Sequence, residues 1–268
     1  MKRGIVGLMT VLLVFAGFSG GAMASDAIGL WFPPAWAGRE AEARAIAQTL
    51  STEAEVEIRA EIAKNYPEIL SAFESGAPAL VYAGSFVQTL IHLRQLGRVL
   101  VQSVDGREFY SGVLIYPADA DPEDRLSRFP ERVAFAVGAS SGESSAKAAT
   151  KGKAAIGVAS HWEAARAVAS GRAKAAFVKN WWWEDHRKKF PGLNMKSVPG
   201  ISENKNPDNL LAASQSVPPE TVSAIIQTTL VNPDLFGGQQ MVLFDLSDLI
   251  FPKTLMKRAG IDPGAYQW

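Results

Sequence analysis

Short apolar runs alternate along this chain with stretches whose apolar residues recur at helical spacing. The runs end at proline, at glycine or where the period changes, and they predict strands at 27–32, 56–62, 79–83 and 99–101. Helical spacing between these runs predicts helices at 39–50, 66–73 and 86–95, the last ended by Gly97. Strands and helices that alternate at this length favour an α/β fold with a parallel-rich sheet covered by helices.

A long apolar run at 109–117 has no helix before it. We predict that it is one strand, which leaves a first lobe and enters a second. Further elements of the second lobe are predicted from their patterns: a short helix opened by 121–124, a strand at 132–137, a small-residue loop at 138–145 that starts a helix, and a strand at 193–198. The chain then returns through a turn-rich segment at 199–208, an apolar run at 210–213 and a helix that starts at 218–220. The tail at 243–268 is expected to pack on the first lobe.

Residues 160–179 combine a capped helix, a glycine stop and a short buried strand. Ser160 is placed to cap a helix that begins at His161, and Gly171 follows its last apolar residue. The strand then ends at Lys179. Polar residues therefore stand where the helix begins and where the strand ends, which are the positions at which open α/β sheets bind ligands.

The chain opens with a predicted secretory signal peptide at 1–24. Two basic residues precede an apolar run at 5–18, and the small-residue segment 22–24 places the cleavage before Ser25. The alternative, a transmembrane anchor, needs a longer apolar run than this one. There is no cysteine, which excludes a disulfide scaffold, a thiolate metal site and a lipid-modified N-terminal cysteine. We therefore expect a protein free in a bacterial periplasm.

Charge and motifs favour a binding protein over an enzyme. The 27 basic and 27 acidic residues balance, so nothing points to nucleic acid or an anionic membrane as a partner. The mature chain contains no cysteine nucleophile and no His-Glu-x-x-His pair. Its histidines, His92, His161 and His186, are not at metal-ligand spacing. We expect no catalytic residues, no metal and no cofactor.

Four features together resemble the periplasmic solute-binding proteins of phosphate, phosphite and phosphonate transporters. The segment from Tyr66-Pro67-Glu68-Ile69-Leu70 to Gly76 resembles the family's helix before a lobe-one strand, and Phe109-Tyr110-Ser111-Gly112-Val113 its hinge strand with a tyrosine. Ser140-Ser141-Gly142 is similar to its hydroxyl-rich anion loop. The segment 160–179 is similar to its histidine-led helix, glycine and small-residue strand.

The resemblance implies a type II periplasmic-binding-protein fold: two lobes, a mixed sheet in each and a hinge between them. Lobe 1 would comprise 25–113 and 210–268, and lobe 2 would comprise 114–209. A small oxyanion would bind in the cleft of a monomer and be delivered to an ABC-transporter permease. The implied ligand-binding residues are Ser140, Ser141, Tyr110, His161 and either Tyr82 or Ser85. A helix N-terminus next to a hydroxyl-rich loop favours oxyanions on physical grounds as well.

Two features modify the expected ligand. Lys174 and Lys179 stand where the family's small-residue strand carries acids, and an acid there receives the ammonium group of aminoalkyl phosphonates. We therefore expect an anion without an amine, or a ligand that is not a phosphonate, with Lys179 facing the cleft. Among the three adjacent indoles 181–183, Trp181 is the candidate cleft residue, and Trp36 is a weaker candidate for the same role.

Structural interpretations of the same residues stay open. The serine pair can be an ordinary turn, His161 a surface residue, Lys179 a solvated lysine and Tyr110 a core aromatic. Two functional alternatives also remain. One is a binding protein that feeds a membrane sensor or a redox system, and the other is an aromatic cage for a quaternary amine.

Overall fold

The structure is a computed structural model that describes residues 27–138 and 140–267, with only the backbone of residues 140 and 141. The predicted signal peptide at 1–24 and its cleavage site lie outside the described residues. Within these ranges, none of the helices is long and apolar enough to span a membrane.

The first part of the chain alternates strands and helices as its pattern predicts. In order, the elements are β1 (Ile28–Phe32), α1 (Glu40–Ala54), β2 (Ile58–Ile62), α2 (Tyr66–Glu74), β3 (Ala79–Ala83), α3 (Ser85–Leu93) and β4 (Gly97–Val104). Gly97 is not a helix stop, because α3 has already ended and Gln95 takes the left-handed conformation, with φ 56°. Gly97 instead opens β4, where a Cβ would collide with the carbonyl oxygen of Ala213.

The middle of the chain builds a second set of alternating elements. They are β5 (Phe109–Tyr110), β6 (Gly112–Pro117), α4 (Pro122–Arg128), β7 (Val133–Ala136), α5 (Ser140–Ala149), β8 (Ile156–Val158), α6 (His161–Ala169), β9 (Ala175–Lys179), α7 (Asn180–His186) and β10 (Leu193–Lys196). The prediction of one strand at 109–117 is wrong. The strand breaks at Ser111, whose N–H donates a hydrogen bond to the side-chain oxygen of Asn180 at 3.1 Å. The predicted loop at 138–145 is also shorter than expected, since α5 begins at Ser140.

The chain returns through β11 (Asn206–Pro207), β12 (Leu210–Ser214), α8 (Pro219–Val231), β13 (Gln240–Leu243) and α9 (Ile250–Arg258). The strands form two mixed sheets. The six-stranded sheet has the order β13-β4-β12-β3-β1-β2, with β1, β2 and β3 parallel and β12 antiparallel to both of its neighbours. The five-stranded sheet has the order β10-β6-β9-β7-β8, with β7, β8 and β9 parallel and β6 antiparallel to both of its neighbours.

The short antiparallel pair β5 and β11 lies where the chain passes between the two sheets in each direction. Tyr110 opposes Asn206 in this pair and accepts a hydrogen bond from its amide at 3.2 Å through the backbone carbonyl. Below, lobe 1 and lobe 2 mean the parts that carry the six-stranded and the five-stranded sheet. The residue boundaries at 113/114 and 209/210 stay a prediction.

Helix α9 connects the packing of the two lobes. Leu255 is buried in an apolar cluster with residues of the five-stranded sheet, whereas Met256 is buried in a cluster with residues of the six-stranded sheet. The tail was expected to pack on the first lobe, and the structure shows that it packs on both. The reason is that consecutive helical residues point about 100° apart, so one helix has apolar residues for two surfaces.

Candidate ligand-binding site

A cleft of about 370 Å³ lies between the two lobes. Lys179 at the end of β9 and Ala83 at the end of β3 line it, as does Pro33, which follows β1. The first turn of α3 contributes Gly84 and Val87. The carboxyl ends of parallel strands and the starts of the helices that follow them therefore meet here, which is where open α/β folds bind ligands.

Aromatic side chains form much of the cleft wall: Trp36, Tyr66, Tyr82, Tyr110, Trp181 and Trp182. Trp36 is 6% exposed, packs on Phe32 with ring centres 4.3 Å apart, and carries the Arg39 guanidinium 3.7 Å from its own ring centre. Tyr82 stacks on Phe236 at 4.4 Å. Trp36 and Tyr82 are thus core aromatics that also line the cleft, and their packing holds them in place.

Tyr110 links the hinge to the start of α3. Its hydroxyl lies 2.8 Å from the hydroxyl of Ser85, which is fully buried at the first position of that helix. Burial and the negative charge of Asp208 raise the pKa of Tyr110 well above its ordinary value, so its hydroxyl keeps its proton. Of the two residues that the resemblance offered as alternatives, Tyr82 lines the cleft, whereas Ser85 supports Tyr110 from behind.

His161 begins α6 and lines the cleft. The predicted cap is present, since the Ser160 hydroxyl accepts the N–H of Glu163 at 3.2 Å. Burial, and then the positive charge of Lys179, lower the pKa of His161 from 6.5 to about 3. The imidazole is therefore neutral above pH 5, so it offers the cleft a hydrogen-bonding group rather than a charge.

We expect the ring C–H resonances of His161 to stay unchanged between pH 8 and pH 5 in an NMR titration, because its pKa is about 3. A histidine in the unfolded chain titrates near 6.5. The unfolded state consequently binds more protons below that pH, and the free energy of unfolding falls as the pH drops from 6.5 towards 3. His161→Gln, which also assigns the resonance, should reduce this fall. A change of the His161 resonances near pH 6.5 in the folded protein would contradict a lowered pKa for this residue.

Lys179 lines the cleft in an ion pair with Asp208. The two side chains are 23% and 9% exposed, so most of this pair is removed from water. The Lys179 ammonium also lies 4.6 Å from the ring centre of Tyr110 and 5.2 Å from that of Trp181. Sequence reasoning identified the lysine but missed Asp208, whose position in a turn-rich segment 29 residues away carries no local signal of the pairing.

The charged groups of the cleft balance one another. Besides Lys179 and Asp208, the cleft contains Arg107, which lies between β4 and β5 and pairs with Asp185 of α7 at 3.5 Å. Both of these side chains are about half exposed. Asp105 accepts the backbone N–H of Arg107 at 2.8 Å, and Arg39 pairs with Glu42 at 2.5 Å. Because His161 is neutral, an anion would be held here mainly by hydrogen-bond donors and helix dipoles rather than by a net positive charge.

The three adjacent indoles of α7 have different surroundings. Trp181 and Trp182 line the cleft, and Trp182 stacks on His186 at 4.6 Å. Trp183 is 4% exposed and packs on Phe190 in the core of lobe 2. A seven-residue helix turns successive side chains by about 100°, which separates the three rings.

Ser140 and Ser141 form the first turn of α5, and their side chains lie outside the described part of the chain. Their contact with a ligand stays a prediction. The helix behind them is fixed by Glu143, which is 2% exposed. Its carboxylate accepts the N–H of Gly138 at 2.9 Å and the Tyr266 hydroxyl, and it pairs with Lys147 at 2.5 Å. No group of three or more potential metal ligands occurs among the residues that the structure describes.

Two mixed sheets joined by paired hinge segments, with a cleft at their strand ends, define a two-lobed periplasmic binding protein of type II, as the sequence predicted. The family model described as "ABC transporter, phosphonate, periplasmic substrate-binding protein" matches residues 39–235. The chain belongs to this family, whose members bind small phosphonates in the periplasm and work with ABC-transporter permeases. A search of curated proteins found no match.

Solved structures with a similar fold include a binding-protein component of an ABC phosphonate transporter from Pseudomonas aeruginosa. Its TM-score is 0.69 and its identity 14%, over 88% of this chain and 87% of that one. PhnD1 from Prochlorococcus marinus, in complex with methylphosphonate, matches with a TM-score of 0.66 and 14% identity, over 87% and 98% of the two chains. A Xanthomonas citri protein bound to ATP matches with a TM-score of 0.66 and 11% identity, over 88% and 98%.

Proposed function

We propose that this protein captures a small oxyanion, such as phosphate, phosphite or a phosphonate, between its lobes and delivers it to an ABC transporter. The strongest support is the set of donors that converge on one cleft. The starts of α3 and α6 line the cleft through Gly84, Val87 and His161, and a helix start carries N–H groups without an intrahelical partner. Tyr82, Tyr110 and His161 add polar side chains to the same cleft. Such donors bind the oxygens of an anion, and helix N-termini add a favourable dipole.

The lobe arrangement supports capture by closure. The cleft is lined from lobe 1, from lobe 2 and from the connection between them, by Tyr82, His161 and Tyr110 respectively. A ligand that contacts all three stabilises the closed arrangement over an open one, because only the closed arrangement provides every contact. The proposed ligand-binding residues are those predicted from the sequence: Tyr82, Ser85 through Tyr110, Tyr110, Ser140, Ser141, His161, Lys179, Trp36 and Trp181.

A thermal-shift screen of the mature protein tests the ligand class. We expect methylphosphonate, phosphite or phosphate to raise the melting temperature, since a ligand at a hundredfold excess over Kd stabilises the folded state by about 2.7 kcal/mol. Sulfate and choline complete the panel. A shift with choline and none with any oxyanion would reject the proposal in favour of an aromatic cage for quaternary amines.

His161→Asn and His92→Asn form a matched pair for calorimetry with the ligand that the screen identifies. His161 lines the cleft, whereas His92 lies near the end of α3 away from it. Loss of a hydrogen bond to a charged ligand costs about 1.5–3 kcal/mol, so Kd should rise about tenfold to a hundredfold in the first variant only. Equal affinities of the two variants for the ligand would show that His161 does not contact it.

Delivery is tested in the source organism. A strain without this gene should lose high-affinity uptake of the identified ligand, and the gene for His161→Asn should restore uptake less well than the natural gene. Unchanged uptake in the deletion strain would favour the alternative in which the protein reports to a membrane sensor or a redox system.

A further inference from the structure

The ammonium group of Lys179 lies among three groups that together make a cation subsite. Its Nζ pairs with the carboxylate of Asp208 and lies 4.6 Å and 5.2 Å from the ring centres of Tyr110 and Trp181. A carboxylate combined with aromatic faces is the chemistry by which proteins bind ammonium ions. Asp208 lies on the connection between the lobes, Tyr110 in β5 and Trp181 in α7, and all three line the cleft, so the subsite is part of it.

Lys179 is positioned by a buried strand of the five-stranded sheet. It is the last residue of β9, whose preceding four residues are buried, and Gly112 of β6 opposes it in the sheet. Asp208 is also fixed by the fold, since its backbone N–H donates to the carbonyl of Glu108 at 2.8 Å and its side chain is 9% exposed. The ion pair is therefore part of the folded framework rather than an exposed surface pair.

We propose that Lys179 fills this cation subsite from within the chain and so determines specificity, excluding ligands that carry an ammonium group next to the bound anion. This proposal rests on the proposed function, because it assumes that the anionic group of the ligand binds in this cleft. An incoming ammonium group would have to displace Lys179 from Asp208 and leave two positive charges in one poorly solvated site, where like charges repel strongly. Alkylphosphonates fit the cleft on this basis, and aminoalkylphosphonates do not.

The first experiment tests the subsite without any phosphonate. Lys179→Ala removes the internal ammonium and leaves the carboxylate and both rings in place. We expect ethylammonium chloride to raise the melting temperature of this variant more than sodium chloride does at equal ionic strength, and to have no such effect on the wild type. The control is Lys174→Ala, because Lys174 precedes the same strand and lies outside this cleft. No selective response of Lys179→Ala, or an equal response of the wild type, would overturn the proposal.

The second experiment compares methylphosphonate with aminoethylphosphonate by calorimetry. The wild type should bind the former at least about tenfold more tightly, because charge repulsion in a low-dielectric site exceeds that in water. In Lys179→Ala this preference should shrink or reverse. Tight binding of aminoethylphosphonate by the wild type overturns the proposal by itself, even if the variant does not fold. If the wild type binds no phosphonate, phosphite or phosphate, the proposed function fails, and the ethylammonium result still decides whether the subsite exists.

Discussion

Asp208→Ala is expected to lower the free energy of unfolding by about 3–5 kcal/mol, the cost of leaving one partner of a buried ion pair without the other. The Lys179 ammonium would remain at the end of β9, mostly removed from water, with only the faces of Tyr110 and Trp181 beside it. Urea unfolding of the purified variant measures the loss.

Glu57→Ala provides the matched control, because the Glu57–Arg59 pair is more than half exposed on both sides. Exposed pairs contribute at most about 1 kcal/mol, so this variant should unfold close to the wild type. Combining Asp208→Ala with Lys179→Met removes both charges and should recover much of the loss. If Asp208→Ala alone stays within about 1 kcal/mol of the wild type, the pair is solvated and contributes as little as a surface pair.

Glu143→Ala should have the second large effect, on stability and on ligand binding together. It leaves the Gly138 N–H and the Lys147 ammonium without their carboxylate, and a buried donor left without its acceptor costs about 1–3 kcal/mol. Because Glu143 fixes the turn from which Ser140 and Ser141 start α5, the affinity for a phosphonate should fall as well. Urea unfolding and calorimetry measure the two losses.

Glu163→Ala is the comparison for this variant. Glu163 also lies in the first turn of a helix, but its side chain is 42% exposed and its pair with Arg166 spans 3.4 Å. The loss there should stay below about 1 kcal/mol. Tyr266→Phe removes the hydrogen bond from the Tyr266 hydroxyl to Glu143 but keeps the carboxylate, so its loss should lie between the two. Equal losses in Glu143→Ala and Glu163→Ala would show that the buried carboxylate does not organise α5.

Elements with a local signal were predicted well. The strand at 79–83 matches β3 because all five of its residues are buried, and the stretch from Ser160 to Lys179 matches α6 and β9 because its cap and glycine stop are local. The break at Ser111 was missed, since it depends on a side chain 69 residues away. Strands β8 and β13 were also missed, because they are short and have too few buried residues to stand out.

The candidate site divides in the same way. Tyr110, His161 and Lys179 lie at strand ends or helix starts, so sequence order could identify them. Arg107, Asp185 and Asp208 were missed because each is defined by a partner from a distant part of the chain, and polar residues in turns are too common to single out. The order of the family's motifs was enough to predict the fold class. The balance of charge in the cleft could be determined only from the structure.

The position of α9 has a consequence for how the protein unfolds. Leu255 and Met256 are consecutive, yet one is buried with the five-stranded sheet and the other with the six-stranded sheet. Neither lobe can lose its core without exposing one face of this helix to water, which weakens the packing of the other face. The protein should therefore melt in a single cooperative transition, with the last helix of the chain coupling two lobes whose cleft must nevertheless open for a ligand to enter.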